Sequence, residues 1–155
     1  MSELVFTSSL GTECRDELER LLFFNENQAR ASEGVAAVVR EFGAPRISVE
    51  GTRVRVGLGT HVAAQSLYAL LPGSGRNRLI GAVVYTRRND TLLVLFVAVD
   101  GQYSSRGERC GRMLLVRMIA ELKRLASRIR GISAMLVYLG RPTPTRITIV
   151  RDHSR

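Results

Sequence analysis

The sequence is poor in the residues that carry most metal and covalent chemistry. It has no tryptophan, and only two cysteines, two histidines and four prolines among 155 residues. Cys14 and Cys110 match neither a metal-ligand spacing nor a disulfide framework, so both are read as free thiols in a reducing cytoplasm. His61 and His153 are too few to suggest a zinc enzyme, and no metal is expected. Long apolar runs are missing too. The longest, Thr91–Val99, has nine residues, against roughly 20 for a spanning helix; no membrane partner is expected. Met1-Ser-Glu-Leu-Val-Phe has no basic patch before an apolar stretch, so no secretory signal is expected. Lysine is almost absent, Lys123 being the only one, so the positive charge is arginine.

What is present is globular in proportion, with 45% hydrophobic and 24% charged residues and a length suited to one domain with one sizeable core. The formal net charge is +9 and unevenly spread. Residues 1–50 carry nine acids against five bases, and the remainder is net +13. The densest part is Arg106–Arg130, with eight bases against Glu108 and Glu121. Such a basic protein segment suits a phosphorylated cofactor, a nucleic acid along helix 112–130 or a lipid surface, or is only a solvated face in an arginine-rich chain. Arginine serves phosphate better than lysine where bidentate contacts matter.

Hydrophobic spacing predicts the elements. Leu18, Leu21, Leu22 and then Val35, Val38, Val39, Phe42 recur at helical intervals, and Asn25-Glu-Asn27 and Gly34 divide them into two short helices. Residues 1–43 are therefore read as a helical part closed by Gly43-Ala-Pro45. Arg46–Val56 alternates and makes either one hairpin about Glu50-Gly51 or one long strand. Ser66–Leu71, Leu79–Thr86 and Thr91–Val99 read as an antiparallel meander with turns at Pro72–Asn77 and Arg87–Asp90. Thr91–Val99 is apolar on both faces and belongs in the sheet centre. After a polar loop, Asp100–Cys110, the residues Leu115, Met118, Ile119, Leu122, Leu125, Ala126 and Ile129 draw one helical stripe that Gly131 stops. Ala134–Leu139 is a buried strand and Arg146–Val150 a last edge strand. The expected fold is α/β, a mixed, mostly antiparallel central sheet flanked by helices, with a β-α-β unit in the C-terminal half.

The loop ahead of the long helix carries the chemistry. Helix N-termini present unpaired N–H groups and the positive end of the dipole, glycine allows close approach, and Arg106, Arg109 and Arg112 add charge. Together they form an anion site suited to a pyrophosphate. Arg106-Gly107-Glu108-Arg109-Cys110-Gly111 resembles the coenzyme A signature of the GNAT superfamily of acyl-CoA-dependent N-acyltransferases, Q/R-x-x-G-x-G/A at a strand-to-helix junction. Arg106 and Gly111 match, Arg109 stands at the middle glycine, and Ser104-Ser105 reads as an insertion.

That resemblance implies a single GNAT-like domain over residues 1–155, with sheet and CoA core at 46–139 and a tail or edge strand at 140–155. It implies acetyl-CoA as co-substrate, an unidentified amine acceptor and direct attack on the thioester. The strand edge Phe96, Val97, Ala98 and Val99 would pair with the pantetheine arm where this strand splays from Ala134–Leu139. The amide of Val97 or Val99 would polarise the carbonyl. Many relatives have a glutamate on the central strand as base; Thr91–Val99 has none, which leaves Asp100, Glu50 or His61. The relatives' acidic tyrosine sits on a later helix that this chain lacks, so Tyr138 or Tyr103 is the expected substitute. Tyr68 and Tyr85 line the acceptor pocket or pair across strands. The uncovered final strand suggests a homodimer. Two other readings stay open: acetylation of a nucleic-acid-linked amine, as with toxins acting on aminoacyl-tRNA, and a non-catalytic GNAT-like binding module.

Overall fold

The computed structural model describes residues 4–23, 32–59, 63–103, 112–138 and 143–150. The chain opens with two short strands, β1 (Val5–Thr7) and β2 (Leu10–Gly11), then a 3-10 turn at Thr12–Cys14. Helices α1 (Arg15–Phe23) and α2 (Ser32–Phe42) follow. The strands β3 (Pro45–Glu50), β4 (Arg53–Leu58), β5 (Gln65–Leu71), β6 (Arg78–Arg88) and β7 (Thr91–Val99) come next, then α3 (Arg112–Arg128), β8 (Ala134–Val137) and β9 (Thr145–Thr148).

The two expected N-terminal helices are present, but the reading of residues 1–43 as wholly helical is corrected by β1 and β2. Three and two residues are too short to show any period, and each is a strand only by virtue of a partner. The Arg46–Val56 alternatives resolve to a hairpin, with Glu50 opposite Arg53. The expected turn at Arg87–Asp90 tightens to Asn89-Asp90, because β6 runs on to Arg88 opposite Thr91, with Asn89 at φ 57°.

The strands form two sheets. The larger has the order β1-β5-β6-β7-β8-β9 and the smaller β2-β4-β3. All neighbours are antiparallel except β7 and β8, which run parallel with α3 between them in sequence. The parallel register is pinned where β8 begins: Ser133 donates its backbone N–H to the Asp90 carbonyl at 2.8 Å and its hydroxyl to the Asp90 carboxylate at 2.6 Å. This is an α/β fold with a mixed sheet.

One apolar layer covers each face of the larger sheet. On one side lie α1, α2 and the small sheet, through Leu18, Leu21, Leu22, Val38, Phe42, Val54 and Val56. On the other lies α3, through Leu114, Met118, Leu122 and Ala126. The buried row of α3 therefore starts at Leu114, while Leu115 of the predicted stripe is half-buried. Glycine is needed at two contacts. Gly43 ends α2 at φ +92°, and a Cβ there would meet the Gly59 backbone at 2.8 Å. A Cβ on Gly81 of β6 would meet the Met118 sulfur at 2.6 Å.

Gly81 and Met118 should consequently be energetically coupled. Met118→Ala should cost about 2–4 kcal/mol in urea unfolding, as for a fully buried methionine. Gly81→Ala should destabilise the parent by about 1 kcal/mol or more through overpacking, yet cost less in the Met118→Ala background. A double-mutant cycle reads this directly; strictly additive losses would mean that the two sites do not touch.

Candidate functional site

Half of β7 has a neighbour on both sides and half does not. β8 pairs with β7 from Thr91–Ala134 to Val94–Val137, and Tyr138 donates its N–H to the Val94 carbonyl at 3.0 Å. Beyond that point, Phe96, Val97 and Ala98 have ladder pairing only with β6 among the described residues. The open stretch begins at a β-bulge. Val84 faces Phe96 and Tyr85 faces Val94, so Leu95 is the extra residue.

The bulge reverses the strand's alternation. Leu93 and Leu95 face the α1/α2 layer before it, and Phe96 and Ala98 face that layer after it. Asp100 donates its N–H to the Ile80 carbonyl at 2.8 Å, which phases the ladder: Ala98 and Phe96 then exchange hydrogen bonds with β6, while Val97 and Val99 turn their N–H and C=O toward the β8 side. The backbone polar groups of Val97 thus point to the side on which β8 pairs, where no strand among the described residues meets them. Phe96 and Ala98 are buried beneath the sheet's other face and contribute packing.

Asp100 ends the strand and braces the turn after it. Its carboxylate accepts the Gln102 N–H at 3.0 Å and Arg78 Nη2 at 3.2 Å, and its carbonyl accepts the Tyr103 N–H at 2.8 Å. Tyr138 lies half-buried at the end of β8, its ring edge-on to Phe42 with centroids 6.5 Å apart and planes at 71°. Burial and then the Glu41 carboxylate push its hydroxyl above the usual tyrosine range, opposed by Arg88. Arg88 bonds Glu41 at 3.1 Å and stacks 4.9 Å from the Phe42 centroid.

Tyr103 packs with the α3-side core and Tyr138 with the α1/α2-side core, so these two candidates are on opposite faces of the sheet. Glu50 sits on the small sheet, exposed and 3.6 Å from Arg55. Tyr68 and Tyr85 are not cross-strand partners, since Tyr68 faces Ala82 and Tyr85 faces Gln65; both line a cavity at the outer edge of β5. Arg112 opens α3. Arg106, Gly107, Glu108, Arg109, Cys110 and Gly111, together with the Ser104-Ser105 insertion, His61 and Leu139, lie outside the described residues. Among the described residues no cluster of histidine, cysteine and carboxylate side chains could hold a metal ion, and no helix is long and apolar enough to cross a membrane.

Sequence reasoning missed the Arg88–Phe42–Tyr138 stack, which joins residues far apart in the chain. It also missed the arginines of the β5-edge cavity, though Arg53 and Arg55 at alternate positions gave a signal: they share the face of β4 opposite Val54 and Val56.

The basic face of α3 is partly spoken for. Arg124 pairs with Glu121, Arg117 lies 5.9 Å from the Phe6 ring centroid, and Arg128 borders the β5-edge cavity.

Two predictions follow from these contacts. Asp100→Asn keeps an acceptor for Gln102 and should leave the melting temperature nearly unchanged. Asp100→Ala removes the turn's brace and should cost about 1 kcal/mol, or roughly 2–4 °C by calorimetry. Equal losses would show that the Gln102 bond contributes nothing. The pH dependence is the second. Burial raises the hydroxyls of Tyr68, Tyr85 and Tyr138 and the thiol of Cys14. Groups raised on folding hold their protons longer than in the unfolded chain. Stability present below the ordinary values, about 8.5 for the thiol and 10 for the phenols, should fall as pH rises through the folded ones. Urea midpoints that decline from about pH 8 to 11, less steeply in Tyr85→Phe, would bear this out; a flat profile would contradict it.

Compared with protein-family models, with curated proteins and with solved structures, the chain matches none.

Proposed function

We propose that this protein is an N-acyltransferase of the GNAT type, moving an acetyl group from acetyl-CoA to a primary amine. The observation that carries the proposal is the half-paired β7. A parallel neighbour stops at Val94, and the Val97 backbone faces the vacated side. The residues that follow in sequence, Arg106–Gly111, combine fixed positive charge with glycines ahead of an amphipathic helix. An exposed strand edge can pair with an extended amide-bearing arm, and the start of a helix can hold its phosphates.

Acetyl-CoA supplies an activated acyl group. The amine nitrogen bonds to the carbonyl carbon, the carbon–sulfur bond breaks, the nitrogen sheds a proton and the thiolate takes one. The Val97 N–H is aimed to polarise the carbonyl. Tyr138, kept protonated by burial beside Glu41, suits the role of proton donor to the sulfur. Asp100 serves the turn as a positioning residue. β7 carries no acid, so solvent is the simplest route for the amine proton.

A nucleic-acid-linked acceptor is the second reading, favoured by exposed Lys123, Arg124 and Arg130 near the C-terminal end of α3. The Glu121–Arg124 pair weakens it.

Isothermal titration with acetyl-CoA tests the main reading. Micromolar affinity, about −8 kcal/mol, is expected in the parent, with loss of binding in Gly111→Asp. Absence of binding in the parent would reject acyl transfer and leave a binding module. Unchanged affinity in Gly111→Asp would reject the loop as the pyrophosphate site. An Arg117→Glu, Arg124→Glu double variant should spare acetyl-CoA; if RNA affinity also stays unchanged, the second reading falls.

A further inference from the structure

The N-terminal segment crosses between the two sheets. β1 stays on β5 only as far as Thr7–Tyr68, and β2 meets β4 only at Leu10–Val54 and Gly11–Arg53. Ser8 and Ser9 bridge the two. Beyond the bridge, β5 continues through Leu67, Ser66 and Gln65, and β4 through Arg55 and Val56. Neither has a further strand on its facing edge among the described residues. A cavity of about 650 Å³ lies along these two edges.

Its lining divides by chemistry. Val54, Val56 and Ala64 on one side and Leu125 and Ile129 of α3 on the other are apolar. Among the described residues of the lining, Arg53, Arg55 and Arg128 are the cations and Glu50 the one acid, a net charge of +2. Glu50 is engaged with Arg55 at 3.6 Å. Neither Arg53 nor Arg128 forms an ion pair among the described residues. Arg53 has Glu50 as its cross-strand neighbour and Arg128 feels Glu121, but neither is held in an ion pair, and such guanidinium groups beside apolar walls present the planar donor fork that carboxylate and phosphate oxygens accept. The volume is that of a small-molecule site. The Ser8–Ser9 bridge spans the gap between the sheets, which favours a compact ligand over a polymer chain.

We propose that this cavity binds a small organic anion, one with a compact apolar body and a single carboxylate or phosphate group. The apolar body packs on the half-buried Leu125 and Ile129, and Arg53 and Arg128 take the anionic end. The site is independent of the acyl-transfer reading, since it borders the outer edge of β5, whereas the open edge of β7 lies on the far side of β6.

The test is titration calorimetry of the full chain with three probes of one shape: 4-nitrophenyl phosphate, 4-nitrobenzoate and neutral 4-nitrobenzyl alcohol. At least one anion should bind with a submillimolar dissociation constant and the alcohol should not. Binding of the phosphate alone, the carboxylate alone or both supports the site and names its anion. Arg53→Gln and Arg128→Gln, both at exposed positions, should each weaken binding about tenfold, the scale of one charge-assisted contact. Arg130→Gln, outside the cavity, should not. Circular dichroism checks that all three variants are folded. The proposal is overturned if neither anion binds, if the alcohol binds as well as the anions, or if both cavity variants bind like the parent.

Discussion

Burial of β7 on both faces is the constraint on which the other elements depend. Leu93, Leu95, Phe96 and Ala98 pack toward α1 and α2, while Leu92, Val94 and Val99 pack toward α3. Each large side chain contributes about 1.5–3 kcal/mol when withdrawn from water, so one strand anchors both apolar layers. Because it is apolar from Leu92 to Val99, β7 can insert a residue at Leu95 and reverse its alternation without exposing a hydrophobe or burying a charge. That reversal turns the Val97 backbone toward the side where β8 has stopped. Among the described residues, the half-paired course of β7 and the two-sided core therefore share one origin.

The charge asymmetry along the chain resolves into complementarity between layers. The acidic first fifty residues supply α1 and α2, and the basic residues after them supply the sheet those helices cover. Glu17 of α1 accepts the Leu79 N–H at 3.0 Å and takes Arg76 as well, while Glu41 of α2 takes Arg88. Exposed pairs of this kind contribute little individually, but Glu17 also satisfies a backbone donor at the start of β6. Part of the basic surplus is thus spent inside the fold, which reduces the positive surface left for a polyanion.

The elements with a strong period were legible. The apolar run Thr91–Val99 gave the central strand, the helical spacing of Met118, Leu122 and Ala126 gave α3, and the Arg/Val alternation gave β4. Elements defined by partners were not. Val5–Thr7 has no period of its own, and the division into two sheets follows from where that segment crosses. The bulge at Leu95 left no trace because a register slip within the unbroken apolar run Leu92–Val99 changes nothing in the pattern. At the candidate site, Asp100 bonds Arg78 and Gln102 and so braces its turn. The separation of Tyr103 and Tyr138 onto opposite faces was hidden, since it depends on how the 3-10 turn carries the chain off β7.

The crossing at Ser8–Ser9 also has a bearing on how the molecule guards itself. The first described residues cap the edge of one sheet and then the edge of the other, so a few backbone hydrogen bonds shield two strand borders at once. Fraying that runs on through Gly11 would bare β5 and β4 together. Both would then be open to edge-to-edge pairing between molecules. The N-terminus is the place where loss of order and self-association would begin as a single event.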